Sequence, residues 1–358
     1  MDEELDILDG AIREALNLDP RDIDMPEGDT EVTVEEIEIE TAPRPDMPGE
    51  GSALDIFGSQ STLDIAGLGA DRVYDLTLWM TVAFGAVFVF VMALVWFAWA
   101  RQRPAGHWWI WSGGIVLPIV AIVTLLVGST AALVATTRPA EDALVIEVTG
   151  HQFWWEVVYD PEGLALRDAN ELVLPRDRPV TLRLTSADVI HSFWVPSIAG
   201  KMDMIPGRVN TLTVTATETG RFRGQCAEFC GLSHPLMAFE VTVLPGEAFD
   251  TWLDTTPGEA RDAARPDLLA GRDVFLDSGC AACHEIRGVA TGGRLGPDLT
   301  RFGARPSLGA GMWRMNQGNV AGWIADVQDM KPGAQMPSYN HLSGPDLRNL
   351  SAYLVSLR

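Results

Sequence analysis

Hydrophobic residues follow three different patterns along the chain, and each pattern predicts a different kind of structure. Residues 76–100 and about 108–136 contain no charged side chain. As helices, both runs are long enough to cross the hydrocarbon core of a bilayer, which is about 30 Å thick. After residue 143 the chain changes to short alternating segments, at 145–148, 180–184 and 211–215, separated by Pro, Gly, Asp and Asn. That alternation predicts a β-sandwich or barrel.

The patterns divide the chain into five regions. We predict an acidic tail over residues 1–60, a transmembrane helical hairpin over 61–140 and an all-β domain over 141–245. Residues 246–266 read as a linker with about one helical turn, and 267–358 as a helical domain. Helix-like segments at 267–278 and 344–357 support that last region. The fold class is therefore a multidomain membrane protein.

Charge is concentrated in the tail. The net charge is -23, and residues 1–60 hold 19 Asp and Glu against three Arg, a balance of -16. A segment so charged and so poor in apolar residues is expected to be largely disordered. As an alternative, Leu5, Leu8, Ile12 and Leu16 fall at helical spacing and predict a short amphipathic helix that docks on a partner.

The connection between the two spans sets their orientation. Arg101 and Arg103 lie in it, so the positive-inside rule places this loop in the cytoplasm. Both termini and the soluble domains then lie on the outer, periplasmic side of a bacterial inner membrane. The first 30 residues lack the pattern of a signal peptide, so either the first span exports the tail or a leader precedes it.

Cys226 and Cys230 belong to a group of soft ligands. His234 and Met237 follow them in the same loop, and His191 lies upstream. Thiolates, imidazoles and a thioether favour copper, and this arrangement is typical of cupredoxin-like domains; the second Cys permits two coppers. A structural zinc site would leave Met237 unused, a disulfide would leave both histidines unexplained, and a core histidine accounts for either His alone.

The other two cysteines form a c-type haem attachment pattern, Cys280-Ala-Ala-Cys283-His284. With the flanking helices, residues 267–358 resemble an all-α class I cytochrome c domain. That resemblance implies one haem c bound covalently to both thiols, with His284 and Met336 as axial ligands. The competing candidates for the second axial position are Met312, Met315, Met330 and His341.

Residues 73–244 resemble subunit II of cytochrome c oxidase. The resemblance rests on the stretches 150–155, 186–196 and 200–210, together with the Cys226 loop. It implies a CuA centre of two copper ions, bridged by Cys226 and Cys230. It also implies further ligands: His191 and His234, Met237 as a weak axial ligand, the backbone carbonyl of Glu228, and the side chain of Glu228 at a magnesium shared with subunit I.

The resemblance implies an electron-relay subunit. Electrons would pass from cytochrome c or a similar soluble donor through haem c and the copper centre to subunit I, which reduces oxygen to water. Subunit III and the lipid bilayer are further expected partners, and nucleic acid is not.

The sequence departs from the family where electrons enter the copper site, since Phe153 replaces the usual Trp, ahead of Trp154 and Trp155. It also lacks a carboxylate between residues 101 and 137, where many members have the mouth of a proton channel.

Three alternatives belong to other functional classes. The copper subunit of a haem-copper nitric oxide reductase has a related catalytic partner and is the runner-up. A copper chaperone for oxidase assembly would show a thioredoxin-like pattern without an attached haem. A quinol oxidase subunit would lack the copper ligands that Cys226 and Cys230 provide here.

Overall fold

The computed structural model describes residues 58, 60–101, 106–137, 143–159, 166–256, 258–260 and 263–358. All of them lie within one compact unit, Met47–Arg358. The predicted disordered tail, with its amphipathic segment, lies almost entirely outside the described residues. So does the part of the membrane loop that carries Arg103.

In the described part of the chain, two segments are long and apolar enough to cross a membrane, Leu68–Ala100 and His107–Ala131. The first is helix α1, Leu68–Arg101. The second comprises α2, His107–Trp111, a π-helical turn, Ser112–Val116, and α3, Leu117–Thr137. None of the hydrophobic stretch in either segment is buried in the protein, in contrast to the core helices of soluble domains. Fully exposed apolar helices of this length are suited to contact with lipid.

Helix α1 starts before the uncharged run because its first turn is anchored on the β-domain. The amide of Leu68 donates to the carbonyl of Thr215, and that of Ala70 donates to Ile198, each at 3.0 Å. A Cβ at Gly67 would lie 2.5 Å from the Ile198 carbonyl oxygen, so only glycine permits this approach. The membrane helix and the β-domain are thereby joined by backbone contacts.

Residues 144–244 form a cupredoxin-like β-domain of two facing sheets. In the described residues the strand orders are β3-β2-β1-β5-β8 and β4-β10-β9-β6-β7. The strands are β1 Leu144–His151, β2 Trp154–Tyr159, β3 Leu166–Ala169, β4 Glu171–Pro175, β5 Val180–Ser186, β6 His191–Trp194, β7 Met202–Met204, β8 Asn210–Val214, β9 Gly220–Cys226 and β10 Ala238–Leu244. The alternating segments at 145–148 and 180–184 lie within β1 and β5, and the segment at 211–215 extends one residue past the end of β8; their inward residues build one core.

Residues 246–266, predicted as a linker with about one helical turn, contain more helix than expected. They begin with a ten-residue helix, α4, Gly246–Thr255. Phe249 on this helix is fully buried in the β-domain core, and Trp252 packs edge-on against Tyr159 at 5.0 Å between ring centroids. Phe249 and Trp252 lie three residues apart on one helical face, a short apolar stripe that the surrounding Pro, Gly and Asp obscure in the sequence.

The C-terminal domain is helical around one apolar cluster. Its helices are α5 Pro266–Asp277, α6 Gln317–Ala325, α7 Val327–Met330 and α8 Gly344–Ser356, and a short ladder pairs β11 Ser307–Leu308 with β12 Trp313–Arg314. Helices α5 and α8 cross in close contact at Gly271, which faces the Asn349 backbone and Tyr353. This crossing holds the two ends of the domain together around the segment that carries Cys280 and Cys283.

Candidate functional site

The soft ligands of the β-domain meet at one end of the second sheet. His191 is the first residue of β6 and Cys226 the last of β9, and the loop that follows Cys226 returns the chain to β10. One ligand atom each from His191, Cys226 and Cys230 lies within 4.8 Å of the others. The amide of Cys226 donates to Met237 at 2.9 Å, which closes the loop at its base. Two strands therefore fix the position of this cluster.

The distances within the cluster suit a shared metal centre. The two sulfurs lie 3.8 Å apart, well beyond the 2.05 Å of a disulfide, and both thiols are free. Further donors face these sulfurs: His191 Nδ1 at 3.8 Å and the Glu228 carbonyl at 3.2 Å from Cys226, and His234 Nδ1 at 3.6 Å and Met237 Sδ at 3.8 Å from Cys230. Sulfur and imidazole donors collected in this way fit copper.

Hydrogen bonds within the cluster favour deprotonation of one of the two sulfurs. The contact with Cys230 lowers the pKa of Cys226, and the hydrogen bond with His191 acts in the same direction. The same sulfur contact raises the pKa of Cys230, so in the absence of metal the pair shares a proton. Burial alone would lower the pKa of His191, but its bonds to Cys226 and Asp188 raise it.

Asp188 orients His191. Its Oδ1 lies 2.8 Å from His191 Nε2, so the ring donates there and leaves Nδ1 directed at Cys226. Burial would raise the pKa of Asp188, but bonds from His191, Val189 and Gln152 lower it. Gln152 also donates through its side chain to the carbonyl of Cys230. Sequence analysis assigned no role to Asp188 or Gln152. A sequence signal that could have found them is their position close to His191 and Phe153, within residues 186–196 and 150–155.

A cavity of about 290 Å³ contains the haem-attachment residues. Cys280, Cys283, His284 and Met336 line it. His284 Nδ1 lies 2.8 Å from the Pro297 carbonyl and donates to it, which leaves Nε2 free as a ligand atom. Burial lowers the pKa of His284, so the ring is neutral. These residues fit a covalently attached haem.

The competing axial candidates lie elsewhere. Met312 Sδ lies 3.7 Å from Arg223, Met315 packs on the domain core, and Met330 faces Gly322. His341 is exposed beside Tyr339, at 5.7 Å between ring centroids. Of the five candidates, Met336 is the one found among the residues that line the cavity.

The β-domain supplies part of the cavity wall. Phe153 and Trp154 line the cavity, and Phe153 is almost fully buried. Trp154 stacks on His151 at 4.2 Å, whereas Trp155 is fully buried in the core among aromatic rings. The three aromatic residues predicted as an electron path therefore have different environments, and two of them face the haem-attachment site.

Polar contacts hold the two domains together. Arg305 of the haem domain donates to Asp168 of the β-domain at 2.9 Å, and both members of this ion pair are buried. Ser233, next to the candidate ligand His234, donates to the carbonyl of Pro332 at 2.7 Å. Sequence reasoning missed these contacts because they join residues about a hundred or more positions apart.

The fold and the two sites define a class of protein, a redox protein with apolar membrane helices, a cupredoxin-like domain and a cytochrome c domain. Residues 160–244 match the family described as cytochrome c oxidase subunit II, periplasmic domain, and residues 268–358 match cytochrome c. Cytochrome c oxidase subunit 2 of Alkalihalophilus pseudofirmus is 34% identical, over 83% of this chain and 91% of the relative. The protein of that name in Bacillus subtilis is 31% identical, over 83% and 92%.

The chain therefore belongs to the cytochrome c oxidase subunit 2 family. A solved structure, the periplasmic domain of subunit II of cytochrome oxidase from Bradyrhizobium japonicum, is 34% identical, covers 33% of this chain and 95% of its own, and has a TM-score of 0.31. The protein is a membrane-bound electron-transfer component of an oxidoreductase complex and associates with other oxidase subunits. Its two domain families imply copper and haem c.

Proposed function

We propose that this chain is the electron-relay subunit of a cytochrome c oxidase, passing electrons from a cytochrome c type donor through haem c and a dinuclear copper centre to subunit I, which reduces oxygen to water. When bound, haem c and the CuA centre each take up and release one electron. The observation that carries the proposal is the buried group of thiol, imidazole and thioether donors beside a cavity lined by Cys280, Cys283 and His284.

Each donor has a proposed role. Cys226 and Cys230 would supply the thiolates that hold two coppers, His191 and His234 would supply imidazole ligands, and Met237 would add a weak thioether ligand. The carbonyl of Glu228, which lies 3.2 Å from Cys226 Sγ, completes the set. In the haem domain, Cys280 and Cys283 would attach the haem through thioether bonds, and His284 and Met336 would be the ligands of its iron.

The exposed tip of the metal loop is the proposed contact with subunit I. Phe229 and Leu232 are 76% and 80% exposed there, although large apolar side chains usually avoid water. The Glu228 side chain is exposed at the same tip and is the proposed protein ligand for a shared magnesium. A partner subunit that covers this tip would bury both apolar residues.

The proposed topology places both termini and both redox domains in the periplasm of a bacterial cell. Two spans, joined by a cytoplasmic loop at residues 101–107, satisfy this arrangement. The soluble donor then reaches the haem domain from the periplasm. Subunit III is a further proposed partner within the membrane.

The copper assignment is tested with Cys230→Ser in the purified oxidase complex. We expect the variant to lose the mixed-valence copper signal in electron paramagnetic resonance, because an oxygen cannot replace the bridging thiolate. The haem c absorption bands should stay, which serves as the internal control. Survival of the mixed-valence signal, or zinc in the wild-type protein, would exclude the dinuclear model.

The haem assignment is tested with Met336→Ala. We expect the low-spin haem spectrum to change while the copper signal stays, because the iron loses its sulfur ligand. Met312→Ala is the matched control, since Met312 contacts Arg223 instead. An unchanged spectrum in Met336→Ala would mean that another residue is the sixth ligand.

The substrate of the complex is tested by turnover. The purified complex should reduce oxygen with reduced cytochrome c as donor, and should reduce nitric oxide far more slowly. The opposite preference would favour the nitric oxide reductase alternative.

A further inference from the structure

A buried lysine lies between the two sites. Lys331 is 2% exposed, and its ammonium donates to the carbonyl of Phe153 and to that of Gly309, each at 2.8 Å. Phe153 belongs to the copper-side domain, whereas Gly309 and Lys331 itself belong to the haem domain. The chain contains one other lysine, the exposed Lys201. A rare residue type therefore occupies the contact between the domains.

Burial of this ammonium is costly. Within the described residues, no carboxylate lies within ion-pair distance of Lys331, so two carbonyl oxygens are the acceptors that offset the loss of water. Burial lowers its pKa to about 7, although the nearby Cys230 acts in the opposite direction. A methionine or leucine would fill the same space without this cost, so packing alone does not explain a lysine here.

Lys331 donates to the carbonyl of Phe153, and the ring of Phe153 packs between the two sites. A Cβ at Gly231, next to Cys230, would lie 3.2 Å from Phe153 Cζ. On the other side, a Cβ at Gly333 would lie 3.5 Å from Phe153 Cε2. The Phe153 ring is thus in contact with the copper loop and with the loop that leads to Met336. Small residues on both sides let it fit closely.

We infer that Lys331 is a positioning residue for electron transfer within the chain, holding Phe153 and the Met336 loop at a fixed separation across the domain contact. This inference rests on the proposed function, since it assumes a haem at Met336 and copper at Cys230. Lys331 is the first residue of that loop and is anchored by its bond to the carbonyl of Phe153. Pro332, the second residue, is anchored because its carbonyl accepts a hydrogen bond from Ser233. Two adjacent anchors fix the direction in which the loop leaves the interface.

The test uses the full chain in its purified oxidase complex. Lys331→Met keeps the length of the side chain but removes the donor, whereas the amide of Lys331→Gln can still donate to a carbonyl. Lys201→Met is the matched control. Two readouts are compared: hydrogen exchange of segments 152–155 and 331–336, and the rate of haem-to-copper electron transfer after rapid photoreduction of the haem.

We expect Lys331→Met to increase exchange in both segments and to slow internal electron transfer about tenfold, since small displacements of precisely held groups cost rate factors of this order or more. Lys331→Gln should change the exchange and the electron-transfer rate less than Lys331→Met does, and Lys201→Met should match the wild type in both readouts. Haem and copper spectra should stay unchanged in all variants.

The outcomes separate the two proposals. Wild-type exchange and wild-type rate in Lys331→Met, with both centres in place, would overturn the role of Lys331. So would a loss in Lys331→Gln as large as in Lys331→Met. If Lys331→Met fails to fold, Lys331→Gln is compared with the wild type instead, and wild-type exchange together with a wild-type rate would overturn the role. Absence of haem or copper from the wild-type complex would instead overturn the proposed function.

Discussion

The group of proposed copper ligands depends on a residue that is not itself one of them. Asp188 receives hydrogen bonds from His191, from its neighbour Val189 and from the backbone of Gln152. It therefore fixes both the ring of His191, a proposed ligand, and the strand end beside Phe153. Such partners usually hold a ligand in one tautomer and one orientation.

Asp188→Asn should weaken copper binding about 10- to 100-fold, because an amide fixes the tautomer of His191 less strongly. Competition with a chelator of known affinity measures this in the purified protein. Asp254→Asn, a change at an exposed position on α4, is the control and should have no effect. Equal affinity in the two variants would show that His191 does not need Asp188.

The sequence predicts single residues well when their signal is local. Cys226, Cys230, His234 and Met237 lie within twelve positions, so their spacing alone predicts a metal-binding loop, and the structure brings their side chains together. Lys331 carries no comparable signal, since its partners are 178 and 22 residues away in sequence. Sequence reasoning therefore missed the roles that depend on contacts between residues far apart in the chain.

The haem domain depends on one helix crossing. Where α5 passes α8, a Cβ at Gly271 would lie 2.6 Å from the backbone carbon of Asn349 and 2.7 Å from Tyr353 Cβ. Backbone cannot move aside as a flexible side chain can. The crossing therefore requires glycine.

Gly271→Ala should destabilise the haem domain by about 1–3 kcal/mol through overpacking at the crossing. The thermal midpoint for loss of the haem absorption band measures this. Gly344→Ala is the control in the same domain, because a Cβ there meets nothing within 4 Å. A midpoint unchanged by Gly271→Ala would mean that the two helices separate without loss of stability.

Two carboxylates face each other across a strand pair. Glu171 on β4 is opposite Glu240 on β10 in the parallel register. Burial, with the nearby charges of Asp168 and Glu240, raises the pKa of Glu171 well above its usual value. A group with a raised pKa in the folded state loses its stabilising effect as the pH rises through that pKa.

Glu171→Gln should therefore remove a pH dependence. We expect the wild-type thermal midpoint to fall relative to that of the variant as the pH rises above about 4.5, the ordinary pKa of glutamate. Glu218→Gln, at an exposed position, should follow the wild type. Parallel curves for wild type and Glu171→Gln would mean that folding does not raise the pKa of Glu171.

The sequence predicts elements well where one pattern extends over several residues. The uncharged runs correspond to the helices of the membrane segments, and the alternation at 180–184 corresponds to β5. It predicted α4 poorly, since a single apolar stripe of Phe249 and Trp252 has no repeat to support it. That helix is stabilised because Phe249 is buried in the β-domain core and Trp252 packs against it.

At the scale of the whole molecule, the haem cavity belongs to both soluble domains. Residues of the β-domain, among them Phe153 and Asn170, line it together with those of the haem domain. The sequence predicted the order of the domains but not this contact, because domain order is local information and docking depends on residues far apart. The buried pair of Asp168 and Arg305, 137 residues apart, is the clearest case.

Asp168→Asn should weaken this docking strongly. It leaves the Arg305 guanidinium buried without its counter-charge, which costs about 3–5 kcal/mol in comparable buried pairs. Asp250→Asn is the matched control, since it breaks the exposed pair of Asp250 with Arg178, worth about 0–1 kcal/mol. Thermal unfolding of the full chain and hydrogen exchange of β3 report the difference.

The double variant Asp168→Asn, Arg305→Met separates loss of attraction from the cost of a buried lone charge. Because it removes both charges, it should recover most of the stability that Asp168→Asn loses, and exchange of β3 should return toward the wild-type rate. A double variant as unstable as Asp168→Asn would show instead that the ion pair itself joins the domains. Equal effects of Asp168→Asn and Asp250→Asn would mean that the haem domain docks through its other contacts, with Phe153 at their centre.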